Sequence, residues 1–187
     1  MEKRKILLHT CCAPCIGYVY QLLDNEYSVV SYFYNPNITP ASEYEKRLQE
    51  LQRFASLKGF PLIEGPRDTR NWTQQVKKFR FEGEKSVRCC ECFRIRLEET
   101  FREARRQHIG VVATVLSISP HKNSSMINEI GNDLSEQYGI LFLEADFKKK
   151  DGFKKSLEIS REYGFYRQSY CGCVYSRHEM YRSRNKI

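Results

Sequence analysis

The stretch Lys5-Ile6-Leu7-Leu8-His9-Thr10-Cys11-Cys12-Ala13-Pro14-Cys15 decides how the rest of the chain is read. Residues 5–9 are an apolar run of the length of a buried strand. Pro14 sits where the first turn of a helix tolerates it, because the N–H it lacks would be unpaired there. Ile16, Val19, Tyr20 and Leu23 then continue at helical spacing. A strand that passes into a helix within a few residues opens a βα unit, and three cysteines stand on the junction. At a helix start the free amide donors and the helix dipole favour thiolate over thiol.

Working outward, the same alternation recurs. Residues 28–34 predict a second strand, ending in the turn-forming Asn35-Pro36-Asn37. A helix follows with Ser42 and Glu45 as a capping box, Tyr44, Leu48, Leu51 and Ala55 as its buried stripe, and Gly59 as its stop. Residues 61–64 predict a third strand and 72–79 a short helix. A long basic helix is expected over 93–107, with Leu97, Phe101 and Ala104 buried, so Cys89, Cys90 and Cys92 fall at or just before its first turn. Residues 111–116 are β-branched and predict a fourth strand, 123–138 a helix and 140–143 a fifth strand. The order predicts an α/β fold with a doubly wound, mostly parallel sheet, Rossmann-like or HUP-like, as one domain over residues 1–187. Ligands of such sheets gather beyond the C-terminal strand ends. The first two cysteine groups and Pro120-His121-Lys122-Asn123 belong to that edge.

The 187 residues are 41% hydrophobic, enough for one core. No run of ~18 apolar residues exists, so a membrane-spanning helix is excluded. Lys3, Arg4 and Lys5 imitate the start of a signal peptide, but His9, Thr10 and Pro14 break the apolar run, so the expected address is cytoplasmic. The net charge is +8, and residues 148–187 hold 11 Lys/Arg against 4 Asp/Glu. That basic segment interleaves Phe153, Tyr166, Tyr170, Tyr175 and Tyr181, a composition suited to phosphate contacts and base stacking. A solvated basic tail is the plainer reading, and ordinary packing is expected of Tyr163 and Phe165. The segment over 146–187 is expected to pack on a metal site.

That site is predicted by the cysteines. The eight fall into three groups: Cys11, Cys12 and Cys15; Cys89, Cys90 and Cys92; Cys171 and Cys173. Disulfide geometry disfavours such close partners, whereas a metal centre needs several thiolates converging from short loops. Gly172 lets two sulfurs turn toward one point. Seven or eight thiolates exceed the four ligands of one zinc or cubane site, leaving open two metal centres or one centre with free thiols. His9 ends the first strand, where it could orient ligands, donate a proton or bond within the core. His121 and Lys122 fall on the active edge, and Asp146 could ligate a metal or cap a helix. His108 and His178 read as structural or solvent-facing. No Ser-Gly-Gly-x-Asp-Ser phosphate loop and no Gly-x-Gly-x-x-Gly occurs, which disfavours ATP-driven thiolation and a dinucleotide cofactor.

The chain resembles the non-cobalamin epoxyqueuosine reductases, the QueH family. The resemblance rests on Leu7-Leu8-His9-Thr10-Cys11-Cys12-Ala13-Pro14-Cys15, Arg88-Cys89-x-x-Cys92, Ser119-Pro120-His121-Lys122-Asn123, Asp146-Phe147-Lys148-Lys149 and Tyr166-Arg167-Gln168-Ser169-Tyr170-Cys171-Gly172-Cys173. It implies a 4Fe-4S cluster with a second, mononuclear metal, iron, held by Cys11, Cys12, Cys15, Cys89, Cys92, Cys171 and Cys173. Cys90 falls outside the pattern. It also implies removal of the epoxide oxygen from epoxyqueuosine at the tRNA wobble position, the last step of queuosine synthesis, with an external electron donor. His121, Lys122 or bound water would provide the proton. Lys148, Lys149, Arg167 and Tyr170 would hold the base taken out of its stack. Two other classes compete: a non-catalytic zinc-stapled RNA-binding module, and a thiol-disulfide oxidoreductase using Cys12 and Cys15.

Overall fold

The computed structural model describes residues 2–184, so residues 185–187 of the basic C-terminal segment lie outside it. The sheet is built around β1 (Arg4–His9). It pairs in parallel with β2 (Tyr27–Phe33) on one side and β4 (Val111–Thr114) on the other. β3 (Leu62–Glu64) lies beyond β2, and β5 (Leu141–Phe142) beyond β4. The order is β3-β2-β1-β4-β5, all parallel. Ile6, Leu7, Leu8 and His9 are buried one after another rather than alternately, as a parallel strand covered on both faces requires.

Each helix that follows a strand begins at the edge where that strand ended. α1 (Ala13–Leu23), α2 (Ala41–Lys58) and α5 (Ser124–Tyr138) therefore start beyond β1, β2 and β4. α3 (Thr69–Val76) and α4 (Val87–Arg106) fill the crossover from β3 to β4. The chain leaves β1 toward β2 on one side and later returns on the other as β4. The crevice at this reversal, beyond His9 and Thr114, is where a doubly wound sheet binds ligands.

Several boundaries differ from the sequence reading. α2 begins at Ala41, with extended Pro40 as its cap residue and no side-chain cap. The Pro40 carbonyl already accepts from the amides of Glu43 and Tyr44, so the helix is under way before Ser42 and the predicted capping box does not form. α4 starts at Val87, six residues before the expected position, because its first turn carries cysteines and charge rather than an apolar stripe. Cys89 thus lies in the first turn and Cys92 in the second. β4 stops at Thr114, whose Oγ1 accepts from the Leu116 amide at 3.2 Å and turns residues 115–118 into a 3₁₀ turn.

Two further helices, α6 (Gly152–Glu162) and α7 (Val174–Arg184), occupy the stretch legible only as basic and aromatic. α6 packs on α1, where a Cβ on Gly17 would come within 2.8 Å of Ile159, so only glycine permits the approach. Phe165 and Tyr163 pack edge-on against Phe54 at centroid distances of 5.0 and 5.4 Å, the ordinary packing expected of them. Among the described residues no helix is long and apolar enough to cross a membrane.

Candidate metal centre and its cavity

Cys11, Cys12 and Cys15 bridge the end of β1 and the first turn of α1. Their sulfurs all lie within 4.8 Å of one another, at 3.7 Å for Cys11 to Cys12 and 3.0 Å for Cys12 to Cys15. Cys11 is held well below the usual thiol range by hydrogen bonds from Cys12 and Cys15. The same sharing pushes Cys12 up to about 12 and Cys15 well above its ordinary value, so the triad favours one thiolate at Cys11. Gln168 Nε2 donates to Cys12 Sγ at 3.2 Å, bringing the C-terminal segment onto the same sulfurs.

Among the described residues no other three metal-ligating groups lie so close. The remaining thiols are nonetheless neighbours: Cys171 acts electrostatically on Cys89, Cys92 and Cys173. Gly172, between the last two cysteines, has φ 127°, a conformation open to glycine and strained for other residues. The Cys171 amide donates to Ser176 Oγ at 3.0 Å, and the Ser176 amide donates to Cys173 Sγ at 3.3 Å. Burial pushes the Cys89 thiol up to about 11, Cys173 to about 12, and Cys92 in the same direction. Such thiols keep their protons at neutral pH until a thiophilic cation displaces them.

Three cations surround the sulfurs. Arg47 on α2 and Arg96 on α4 are each 1% exposed. Burial pulls the Arg96 pKa down, and the Cys92, Cys11 and Cys171 sulfurs, as anions, more than offset it. Lys122, half-buried, is likewise held charged against its burial by Cys171, Cys11 and Cys15. Arg96 Nη2 donates to Asn35 Oδ1 at 2.6 Å, and Asn35 Nδ2 donates to the Thr10 carbonyl at 2.9 Å. Arg96 Nε and Trp72 Nε1 are buried donors with no hydrogen-bond acceptor in line, and both lie against the Cys92 sulfur. Unpaired buried donors and fixed positive charge call for anionic sulfur between them. The donor set, sulfur throughout, fits an iron–sulfur group or another thiophilic metal.

The thiols border a cavity of about 440 Å³. Cys15, Cys89 and Cys171 reach it, with Lys122 and His121 on the β4 side and Arg167 to Tyr170 on another wall. Phe93, Met126 and Phe153 supply apolar surface. His121 is exposed.

The other residues singled out from the sequence divide. Tyr170 borders the cavity but its hydroxyl donates to the Thr39 carbonyl at 2.6 Å. Lys148 is tied to Asp146 at 3.1 Å and to the Lys122 carbonyl at 3.4 Å, and Lys149 is exposed away from the lining. Asp146 accepts from Ser124 Oγ at 3.0 Å, which ties it to the first residue of α5. His9 lies wholly inside, with Nδ1 2.9 Å from Thr114 Oγ1 and Nε2 3.3 Å from the Tyr34 carbonyl. A Thr114 hydroxyl donating to Nδ1 and an Nε2–H donating to the carbonyl describe a neutral ring. Burial, then Arg96, lowers its pKa to about 3. Both nitrogens are engaged, so His9 braces β1, β4 and the end of β2.

Sequence reasoning missed Arg47, Arg96, Asn35 and Gln168. The signal for the arginines was an Arg set directly beside a buried stripe, before Leu48 and before Leu97.

The family model described as epoxyqueuosine reductase QueH matches residues 6–179. A protein named epoxyqueuosine reductase QueH from Haemophilus influenzae is 39% identical over 92% of this chain and 71% of its own length. The protein of that name from Thermotoga maritima is 39% identical over 91% of this chain and 89% of its own. That from Acinetobacter baylyi is 42% identical over 92% and 80%. Among solved structures, one described as a predicted tRNA methyltransferase subunit from Methanocaldococcus jannaschii aligns with a TM-score of 0.55 at 13% identity, covering 82% of this chain and 76% of that one, which speaks to the fold alone. With a match that spans the cysteine triad, the cavity and the C-terminal thiols, the chain belongs to the QueH family of epoxyqueuosine reductases.

Proposed function

We propose that this chain reduces epoxyqueuosine to queuosine in tRNA, in the cytoplasm, with electrons from an external donor. The observation that supports this reading is that one cavity is reached by a cysteine from each of three distant segments, Cys15, Cys89 and Cys171, with Lys122 on its wall and Arg96 buried close behind the sulfurs. Cys11, Cys12, Cys15, Cys89, Cys92, Cys171 and Cys173 would hold a 4Fe-4S cluster and a mononuclear iron. Such a pair supplies, when bound, low-potential electrons and a Lewis acid for the epoxide oxygen.

The chain's own residues do the rest. Converting the epoxide to an alkene takes two electrons and two protons and releases the oxygen as water. The wobble base must leave its stack to reach the cavity, where the apolar side chains of Phe93, Met126 and Phe153 exclude water and Arg167 and Tyr170 border its path. Lys122 lines the cavity, and its ammonium is the group that would deliver a proton to the departing oxygen. His121, exposed at the cavity, is placed to exchange protons with solvent. Gln168 and Arg47 hold their sulfur-bearing loops still while this happens.

The test is anaerobic incubation of the iron-reconstituted protein with a strong reductant and epoxyqueuosine-containing tRNA, followed by nucleoside mass spectrometry. Loss of one oxygen is the expected result. A protein that binds the tRNA with its cluster intact and leaves the nucleoside unchanged would sink the assignment and favour a metal-stapled RNA-binding module.

A further inference from the structure

The segment between α3 and α4 reads Lys77-Lys78-Phe79-Arg80-Phe81-Glu82-Gly83-Glu84-Lys85, four basic residues against two acidic. Phe81 is 88% exposed, the most exposed of the large hydrophobic side chains described. One exposed aromatic is unremarked on most surfaces. This one sits in an unusual setting. The Arg80 guanidinium lies over its ring at 4.5 Å, and the Lys78 ammonium lies over Phe79 at 4.8 Å.

The segment is also pinned. Arg88, 3% exposed, donates to the Glu82 carbonyl and pairs with Glu179 of α7 at 2.9 Å. Ser86 Oγ donates to the Gly83 carbonyl at 2.6 Å. These bonds join the segment, the start of α4 and α7 at one place. Glu84 and Lys85 line the cavity with Glu179, while Phe81 stays outside the lining, in solvent.

A base that leaves its stack for a deep pocket also unstacks the nucleotide beside it. An aromatic ring and a guanidinium plane at the pocket's rim can take up that stacking, and nearby lysines meet the phosphates. We propose that Phe81 with Arg80 is a stacking platform for the RNA nucleotide next to the base that enters the cavity. This rests on the tRNA-reductase reading above and adds an RNA contact beside α7, outside the cavity lining.

The experiment measures fluorescence anisotropy of a labelled synthetic anticodon stem-loop RNA titrated with the full chain. Phe81→Ala weakens binding roughly tenfold, the order expected for one lost base–aromatic stack, and Phe81→Trp restores it. Because Phe81 is exposed, both variants melt with the wild type, and kcat/KM for tRNA falls with binding. Wild-type affinity in Phe81→Ala overturns the inference, as does intact RNA binding with a loss of self-association by sedimentation velocity. If the wild type reduces tRNA but Phe81→Ala has an unchanged kcat/KM, this inference alone fails. If the stem-loop results are as expected and no reduction occurs, the reductase reading alone fails.

Discussion

Arg47 donates from Nη1 to the carbonyl oxygen of Cys171 at 3.0 Å, joining α2 to a thiol-bearing turn 124 residues further along the chain. Its Nη2 reaches the Tyr170 carbonyl at 3.2 Å and its Nε reaches Glu43 at 2.8 Å. Glu43 accepts in turn from the Tyr166 hydroxyl at 2.9 Å. The Thr39 amide adds a bond to the Gly172 carbonyl at 2.9 Å. The turn that presents Cys171 and Cys173 is thus held from outside itself, by a guanidinium whose every nitrogen is engaged.

Arg47→Ala leaves Glu43 as a buried charge without its partner, and stability falls by about 3–5 kcal/mol in urea unfolding. Arg47→Lys keeps the charge and loses the fork, so it is milder in stability. Its iron-to-protein ratio still drops below that of the wild type. Equal iron content in Arg47→Lys would remove the turn-positioning role.

Serine replacements separate ligands from bystanders. Changing Cys11, Cys12, Cys15, Cys89, Cys92, Cys171 or Cys173 one at a time lowers bound iron or acid-labile sulfide after anaerobic reconstitution. Cys90→Ser, half-buried on α4, leaves both as in the wild type. A colourless Cys90→Ser protein would show that the ligand set has been drawn wrongly.

Lys122→Met removes the charged group among the sulfurs and slows single-turnover reduction by about 10²–10⁴-fold, the range of a lost general acid. Lys122→Arg recovers part of the rate by keeping the charge. Unchanged single-turnover rates in Lys122→Met would transfer the proton to His121 or water.

His9→Ala leaves the Thr114 hydroxyl and the Tyr34 carbonyl without their partner inside the core. At about 1–3 kcal/mol for each unsatisfied group, the unfolding midpoint shifts clearly to lower denaturant. His9→Gln, able to both donate and accept, recovers part of the loss. A midpoint unmoved by His9→Ala would mean that water replaces the ring.

The sheet was legible because β1, β2 and β4 bury consecutive apolar side chains and their helices carry clear stripes. Where burial is achieved by other means, the sequence was silent. The first turn of α4 is organised by Ser86, Arg88 and its cysteines, which have no apolar period, so its start was placed six residues late. Pro40 replaced the expected cap of α2 because backbone geometry, not a side chain, starts that helix. At the site, the thiols declared themselves by type and spacing. The buried arginines did not, since an Arg on a helix reads as a solvated charge until its neighbours are known. His9 could be located but not assigned, because only the register of β1 against β4 reveals that Thr114 occupies one nitrogen.

The cysteines of the centre come from opposite ends of the chain, Cys11 near its beginning and Cys173 near its end. At about 5–20 residues per second of synthesis, the ~160 residues between them take on the order of ten seconds or more. During that time the first three thiols exist without the turn that completes their surroundings. In that interval Cys11, Cys12 and Cys15 are open to oxidation before the C-terminal thiols that share their site have been made.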